Sequence, residues 1–122
     1  MFVVGTETDH IAPWPSVYKV HLFTDNELTF LLTNGGHNTG IISEPGHAHR
    51  HYDIATRQTG DRYMDAATWR SRARRVDGSW WPEWASWLVA RSDSRRIAPP
   101  AMGAPSRGIT ALCPAPGTFV LQ

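Results

Sequence analysis

The sequence predicts an α/β fold, and three observations carry that prediction. Phe2-Val3-Val4-Gly5 and Leu28-Thr29-Phe30-Leu31-Leu32 are short apolar runs that read as buried strands. Between them, apolar residues fall at helical rather than alternating spacing. The order strand, helix, strand predicts a parallel pair joined by a right-handed crossover.

Each element follows in chain order. The polar stretch Thr6 to His10 ends the first strand, and Pro13 and Pro15 bracket a turn that launches a helix over Ser16 to Phe23. Within that helix Val17 and Val20 are spaced i, i+3, and Tyr18 and Leu22 i, i+4. Asp25-Asn26-Glu27 forms the turn before the second strand, which Asn34-Gly35-Gly36 ends. Pro45, Gly46 and Gly60 punctuate Ser43 to Gly60, where neither period is evident, so irregular chain is expected. Asp65 caps a helix over Ala66 to Arg75, and Trp81-Pro82-Glu83 opens another with Trp84, Trp87 and Leu88 on one side. Residues 1–91 are expected to form the ordered part. Residues 92–122, with five prolines and little periodicity, are expected to be an extended tail.

Composition narrows the function classes. Twelve Lys and Arg against eleven Asp and Glu give a formal net charge of +1, which implies no nucleic-acid or anionic-membrane partner. No apolar run has transmembrane length, and one cysteine cannot form an internal disulfide. A reducing cytoplasm is the expected compartment.

The order strand, acid loop, helix, strand, histidine loop is that of the closing third of an α/β-hydrolase, in which acid and base follow the nucleophile. Asp9 and His37 occupy those slots. An imidazole must take the nucleophile's proton, and a carboxylate must hold its other nitrogen and stabilise the imidazolium. Loops that follow adjacent parallel strands bring two such groups together at the sheet's carboxyl edge, so the two side chains are expected within hydrogen-bond reach.

Three separated words, VVGTETDHIAPW around Asp9, LTNGGHNTGII around His37 and GSWWPEWASWL from Gly78, resemble the C-terminal part of the polyhydroxyalkanoate synthases. The tail's APPAMGAP and CPAPGTFVLQ resemble them more loosely. The resemblance implies an α/β-hydrolase catalytic domain in which a cysteine attacks the thioester of an (R)-3-hydroxyacyl-coenzyme A and releases coenzyme A as the polyester grows. It makes His37 the base that activates the thiol and Asp9 its partner, placed also to help activate the incoming 3-hydroxyl. His10, in the same word as the acid, is expected to make a supporting contact. Only eight residues precede Asp9, so the nucleophile is expected further N-terminal, outside this chain. The segment alone is then expected to be inactive, with the N-terminal part of a synthase, a second copy or a polyester granule surface as its partner. No metal or other cofactor is expected.

Several residues have plainer readings. His47, His49 and His51 alternate and would share one side of an extended chain, but no thiol or carboxylate accompanies them at ligand spacing. Arg70, Arg72, Arg74 and Arg75 read as a solvated helix face before they read as a phosphate site. Cys113, between Leu112 and Pro114, lacks the glycine elbow of a nucleophile. The tryptophans at 80, 81, 84 and 87 read as packing before an acyl channel. Two other functions fit the same residues: a non-catalytic module docking on a synthase or granule, and a fragment of a polyester depolymerase or esterase. The DHIAPW and GSWWPEW words favour the synthase.

Overall fold

The computed structural model describes all 122 residues, which form two units, Met1–Ser92 and Asp93–Gln122. The first unit contains strands β1 (Phe2–Thr6), β2 (Leu28–Thr33), β3 (His51–Arg57) and β4 (Arg74–Asp77) and helices α1 (Trp14–Tyr18), α2 (Ala66–Arg72) and α3 (Trp81–Val89). The strands form one mixed sheet in the order β1-β2-β3-β4. β1 and β2 are parallel, and the other two pairings are antiparallel.

The expected parallel pair is present, with Phe2 opposite Thr29 and Thr6 opposite Thr33. The expected pair of strands is, however, only half of the sheet. β3 arises within the segment expected to be irregular, where it pairs along the whole of β2. Its polar Asp53 obscures the apolar pattern, yet Tyr52, Ile54 and Asp53 are all buried, with Arg70 and Arg75 nitrogens 3.9 and 3.8 Å from the Asp53 carboxylate. Tertiary pairing decided this strand, a familiar way for context to override local signal.

β2 is buried along its length, so its alternate side chains feed two cores. Leu28, Phe30 and Leu32 pack with Tyr18 and Trp69 on one face. Leu31 packs with Tyr52, Ile54 and Trp80 on the other. Burying each large apolar side chain contributes about 1.5–3 kcal/mol, which makes β2 the element whose loss the fold tolerates least.

The helices differ from expectation in extent. The single helix over Ser16 to Phe23 is a short α1 followed by a 3₁₀ turn, Lys19–Leu22. Tertiary contacts pin that turn at both ends: the Tyr18 hydroxyl donates to the Met64 carbonyl at 3.0 Å, and Arg57 donates to the His21 carbonyl at 2.9 Å. Asp65 caps α2 by accepting from the Thr68 amide at 3.0 Å. That helix stops at Arg72, and the chain turns into β4 where helix was expected to Arg75. The arginines are not a uniform solvated face, because Arg70 pairs with Glu7 and Arg74 with Glu83. In α3, Trp87 meets the Phe2 ring at 5.7 Å, while Trp84 and Leu88 stay exposed rather than sharing one packed side. In the second unit, Ala104 bridges Ile109 and two 3₁₀ turns cover Pro105–Arg107 and Phe119–Leu121.

His21 is buried against Tyr18, and its Nε2 has no hydrogen-bond partner. Burial first, then the Arg57 guanidinium, push its pKa down to about 4. The unfolded chain, with its histidine near 6.5, binds more protons below that value, so this contribution to stability is complete above pH 6.5 and is lost as pH falls towards 4. The whole window is worth roughly 3 kcal/mol. Urea unfolding at pH 7 and pH 4.5 should show a smaller acid loss in His21→Phe than in the parent. Equal losses would contradict the assignment.

Candidate active site

The site is built by the register of β1 and β2. Past their last pair, the ladder continues into the loops: the Glu7 amide donates to the Thr33 carbonyl at 2.9 Å and the Thr8 amide to the Gly35 carbonyl at 3.0 Å. The acid loop and the histidine loop are thereby zipped together at the carboxyl edge of the parallel pair. Gly35 permits the turn, with φ at +103°, and a Cβ there would lie 2.9 Å from the Gly40 backbone.

Asp9 and His37 meet at that edge. Asp9 Oδ1 accepts from the amides of Ile11 and Ala12 at 2.8 and 2.9 Å; Oδ2 accepts from the Thr6 hydroxyl at 3.1 Å and lies 2.9 Å from His37 Nδ1. The Ala12 amide foremost, with His37, Ile11 and Thr6 acting against the cost of burial, holds the Asp9 carboxyl well below the usual carboxylate range. An ionised carboxylate only accepts, so His37 Nδ1 carries the proton of this bond, and the tautomer that fits is the one whose neutral form keeps its lone pair on Nε2. The Asp9 side chain is 6% exposed and that of His37 44%, which shields the orienting group and leaves the imidazole open to a reactant. A cleft of about 190 Å³ beside the pair is bordered by Gly5, Asp9, Ala12, Val17, His37 and Ile41.

His10 is exposed beside Asp9 and takes no part in these hydrogen bonds. The three alternating histidines have separate neighbours. His47 Nδ1 lies 2.8 Å from Glu44, His49 adopts φ 61° with its carbonyl accepting from Asn34, and His51 Nε2 lies 3.8 Å from Glu7. Cys113 belongs to the second unit and is exposed.

Further residues shape the site, and of these Thr6, Gly40 and Arg50 carry no signal in the sequence. Thr6 anchors Asp9, and Gly40 packs so closely on Thr6 that a Cβ would fall 2.5 Å from Thr6 Cγ2. Arg50 donates to the carbonyls of Thr39 and Ile42 at 2.6 and 3.0 Å. The indoles of Trp80 and Trp81 donate to those of Gly40 and Ile41 at 3.1 and 2.9 Å. The sequence points to Trp80 and Trp81 as packing residues or acyl-channel lining; the structure adds polar partners for both indoles.

Comparison with curated proteins gives close relatives. The chain is 36% identical over 120 residues to poly(3-hydroxyalkanoate) polymerase 2 of Ectopseudomonas oleovorans, covering 98% of this chain and 20% of the relative. It is 32% identical over 120 residues to the poly(3-hydroxyalkanoate) polymerase subunit PhaC of Cupriavidus necator, covering 98% and 19%. The chain belongs to the poly(3-hydroxyalkanoate) polymerase family. It spans about a fifth of the length of the curated polymerases it matches. No family model matches the chain. The chain itself has an α/β architecture, a mixed four-stranded sheet with an apolar core on each face, and no helix in it is long and apolar enough to cross a membrane.

Proposed function

We propose that this chain supplies the acid and the base of a polyhydroxyalkanoate synthase-type acyltransferase, a C-terminal segment of an α/β-hydrolase-type catalytic domain. Its single strongest support is the 2.9 Å contact between His37 Nδ1 and an Asp9 carboxylate already satisfied by two amides and a hydroxyl. A carboxylate so held orients the imidazole and favours the imidazolium formed during reaction. His37 Nε2 takes the proton from a cysteine thiol. The thiolate adds to the carbonyl of an (R)-3-hydroxyacyl-coenzyme A, and the C–S bond to coenzyme A breaks as the acyl-enzyme forms, the leaving thiolate taking the proton from His37, which is a free base again. An incoming 3-hydroxyl then attacks the acyl-enzyme: His37 accepts the hydroxyl proton, the C–O ester bond forms as the C–S bond to the cysteine breaks, and the proton passes from His37 to the cysteine sulfur, leaving the polyester one unit longer. Residues 1–91 carry this chemistry and residues 92–122 are a tail; the compartment is the cytoplasm, at a polyester granule surface.

The nucleophile in this reading comes from outside the 122 residues, since the one cysteine, Cys113, has no elbow. The purified chain should therefore release no coenzyme A from (R)-3-hydroxybutyryl-coenzyme A above background in a thiol-colour assay. Release that Cys113→Ser abolishes would falsify this reading and make the tail cysteine the nucleophile.

A second reading, a docking module without chemistry, is favoured by the exposure of Ile11 at 65% and Ile42 at 60% around the same edge. It predicts that Ile11→Ser and Ile42→Ser weaken granule binding while His37→Ala does not.

A further inference from the structure

Five consecutive carbonyls follow His37 closely in the chain, and each accepts a hydrogen bond from a side chain. Arg50 Nη2 serves Thr39 at 2.6 Å and Ile42 at 3.0 Å. The Trp80 and Trp81 indoles serve Gly40 and Ile41, and the Ser79 hydroxyl serves Ser43. The donors are themselves tied together, because the Gly78 amide donates to the Arg50 carbonyl at 2.6 Å. Asn34 closes the other end of the loop, its amide group donating to the His49 carbonyl at 2.8 Å and its side-chain oxygen accepting from the His51 amide at 3.2 Å.

A loop of this kind ordinarily finds such partners in water or its own backbone. Here they come from β3's approach and from the turn after β4. From this geometry we infer that Arg50, Ser79, Trp80 and Trp81 form a brace that positions His37 against Asp9. The brace rests on the proposed role of His37 as base and adds positioning residues to it.

The local backbone explains why a brace is needed. His37 lies in a turn closed by the Gly40 amide on the Gly36 carbonyl at 2.9 Å, with the Ile41 and Ile42 amides both on the Asn38 carbonyl at 3.1 Å. Two glycines within this turn give it conformational freedom, so its native geometry carries an entropic cost that side-chain donors offset. Arg50 suits the task because its planar guanidinium spans two carbonyls three residues apart with one nitrogen. An indole N–H is a donor only, so each tryptophan fixes one carbonyl without competing for the imidazole. Trp80 is also buried in the second core, which couples the loop to the sheet.

The test uses a full-length polymerase carrying this segment, with coenzyme A release and the rate at which iodoacetamide alkylates the catalytic thiol as readouts. Arg50→Ala should lower kcat roughly a hundredfold, the penalty of a misplacement of about 1 Å, with KM little changed. Trp81→Phe, which keeps an aromatic ring and removes the donor, should lower kcat roughly fivefold. Thiol alkylation should slow in step with kcat in both variants, and non-denaturing guanidinium chloride should restore part of the Arg50→Ala loss. Loss of folded protein with kcat per alkylatable thiol unchanged would make the residues merely structural and overturn the brace. So would full activity in both variants while His37→Ala is dead. Activity persisting in His37→Ala would instead sink the base assignment on which the brace rests.

Discussion

In a full-length polymerase carrying this segment, His37→Ala should lower coenzyme A release from an (R)-3-hydroxyacyl-coenzyme A by roughly a thousandfold or more, because under the proposed function the thiol loses the base that ionises it. Asp9→Asn should retain substrate binding and lose roughly a hundred- to ten-thousandfold in kcat. The amide preserves shape, but it cannot stabilise the imidazolium and can present a donor to Nδ1, which favours the wrong tautomer. Because two backbone amides and the Thr6 hydroxyl hold the Asp9 side chain independently of His37, the substitution should leave the loop folded. Cys113→Ser should change nothing. Steady-state kinetics of the three variants, with KM measured separately, check these outcomes. A His37→Ala enzyme within tenfold of its parent would remove the imidazole from the chemistry.

The second large effect is steric. Gly40→Ala should destabilise the first unit by about 1–3 kcal/mol, the usual cost of overpacking. The added Cβ would fall 2.5 Å from Thr6 Cγ2 and 2.9 Å from Thr6 Cβ, and Thr6 is only 3% exposed and has nowhere to go. Relief requires moving either Thr6, which donates to Asp9, or the turn that carries His37, so activity should fall with stability. Combining Gly40→Ala with Thr6→Ser removes the worst-placed methyl and keeps the hydroxyl, and it should recover part of both losses. Urea midpoints for the two singles and the double provide the cycle. A Gly40→Ala chain as stable as its parent would mean that the two loops are not packed as described.

The two apolar runs, the helical spacing between them and the turn residues after each strand were legible in the sequence, because strand and turn chemistry act locally. Those features placed Asp9 and His37 on neighbouring loops, and the parallel register then brought them to 2.9 Å. The family words around them singled out this aspartate and this histidine as candidates, something that spacing alone leaves open. β3 was not legible, since its Asp53 and flanking charges find their meaning only beside Arg70, Arg75 and the buried face of β2. Nor were the donors on Thr39 to Ser43: Arg50 and Ser79 to Trp81 lie 8 to 40 residues from the carbonyls they serve. Local propensity determined which segments could become strands, helices and turns. Long-range hydrogen bonding decided how the histidine loop is held, because a carbonyl's partner depends on which chain the fold brings within 3 Å, and no local pattern encodes that.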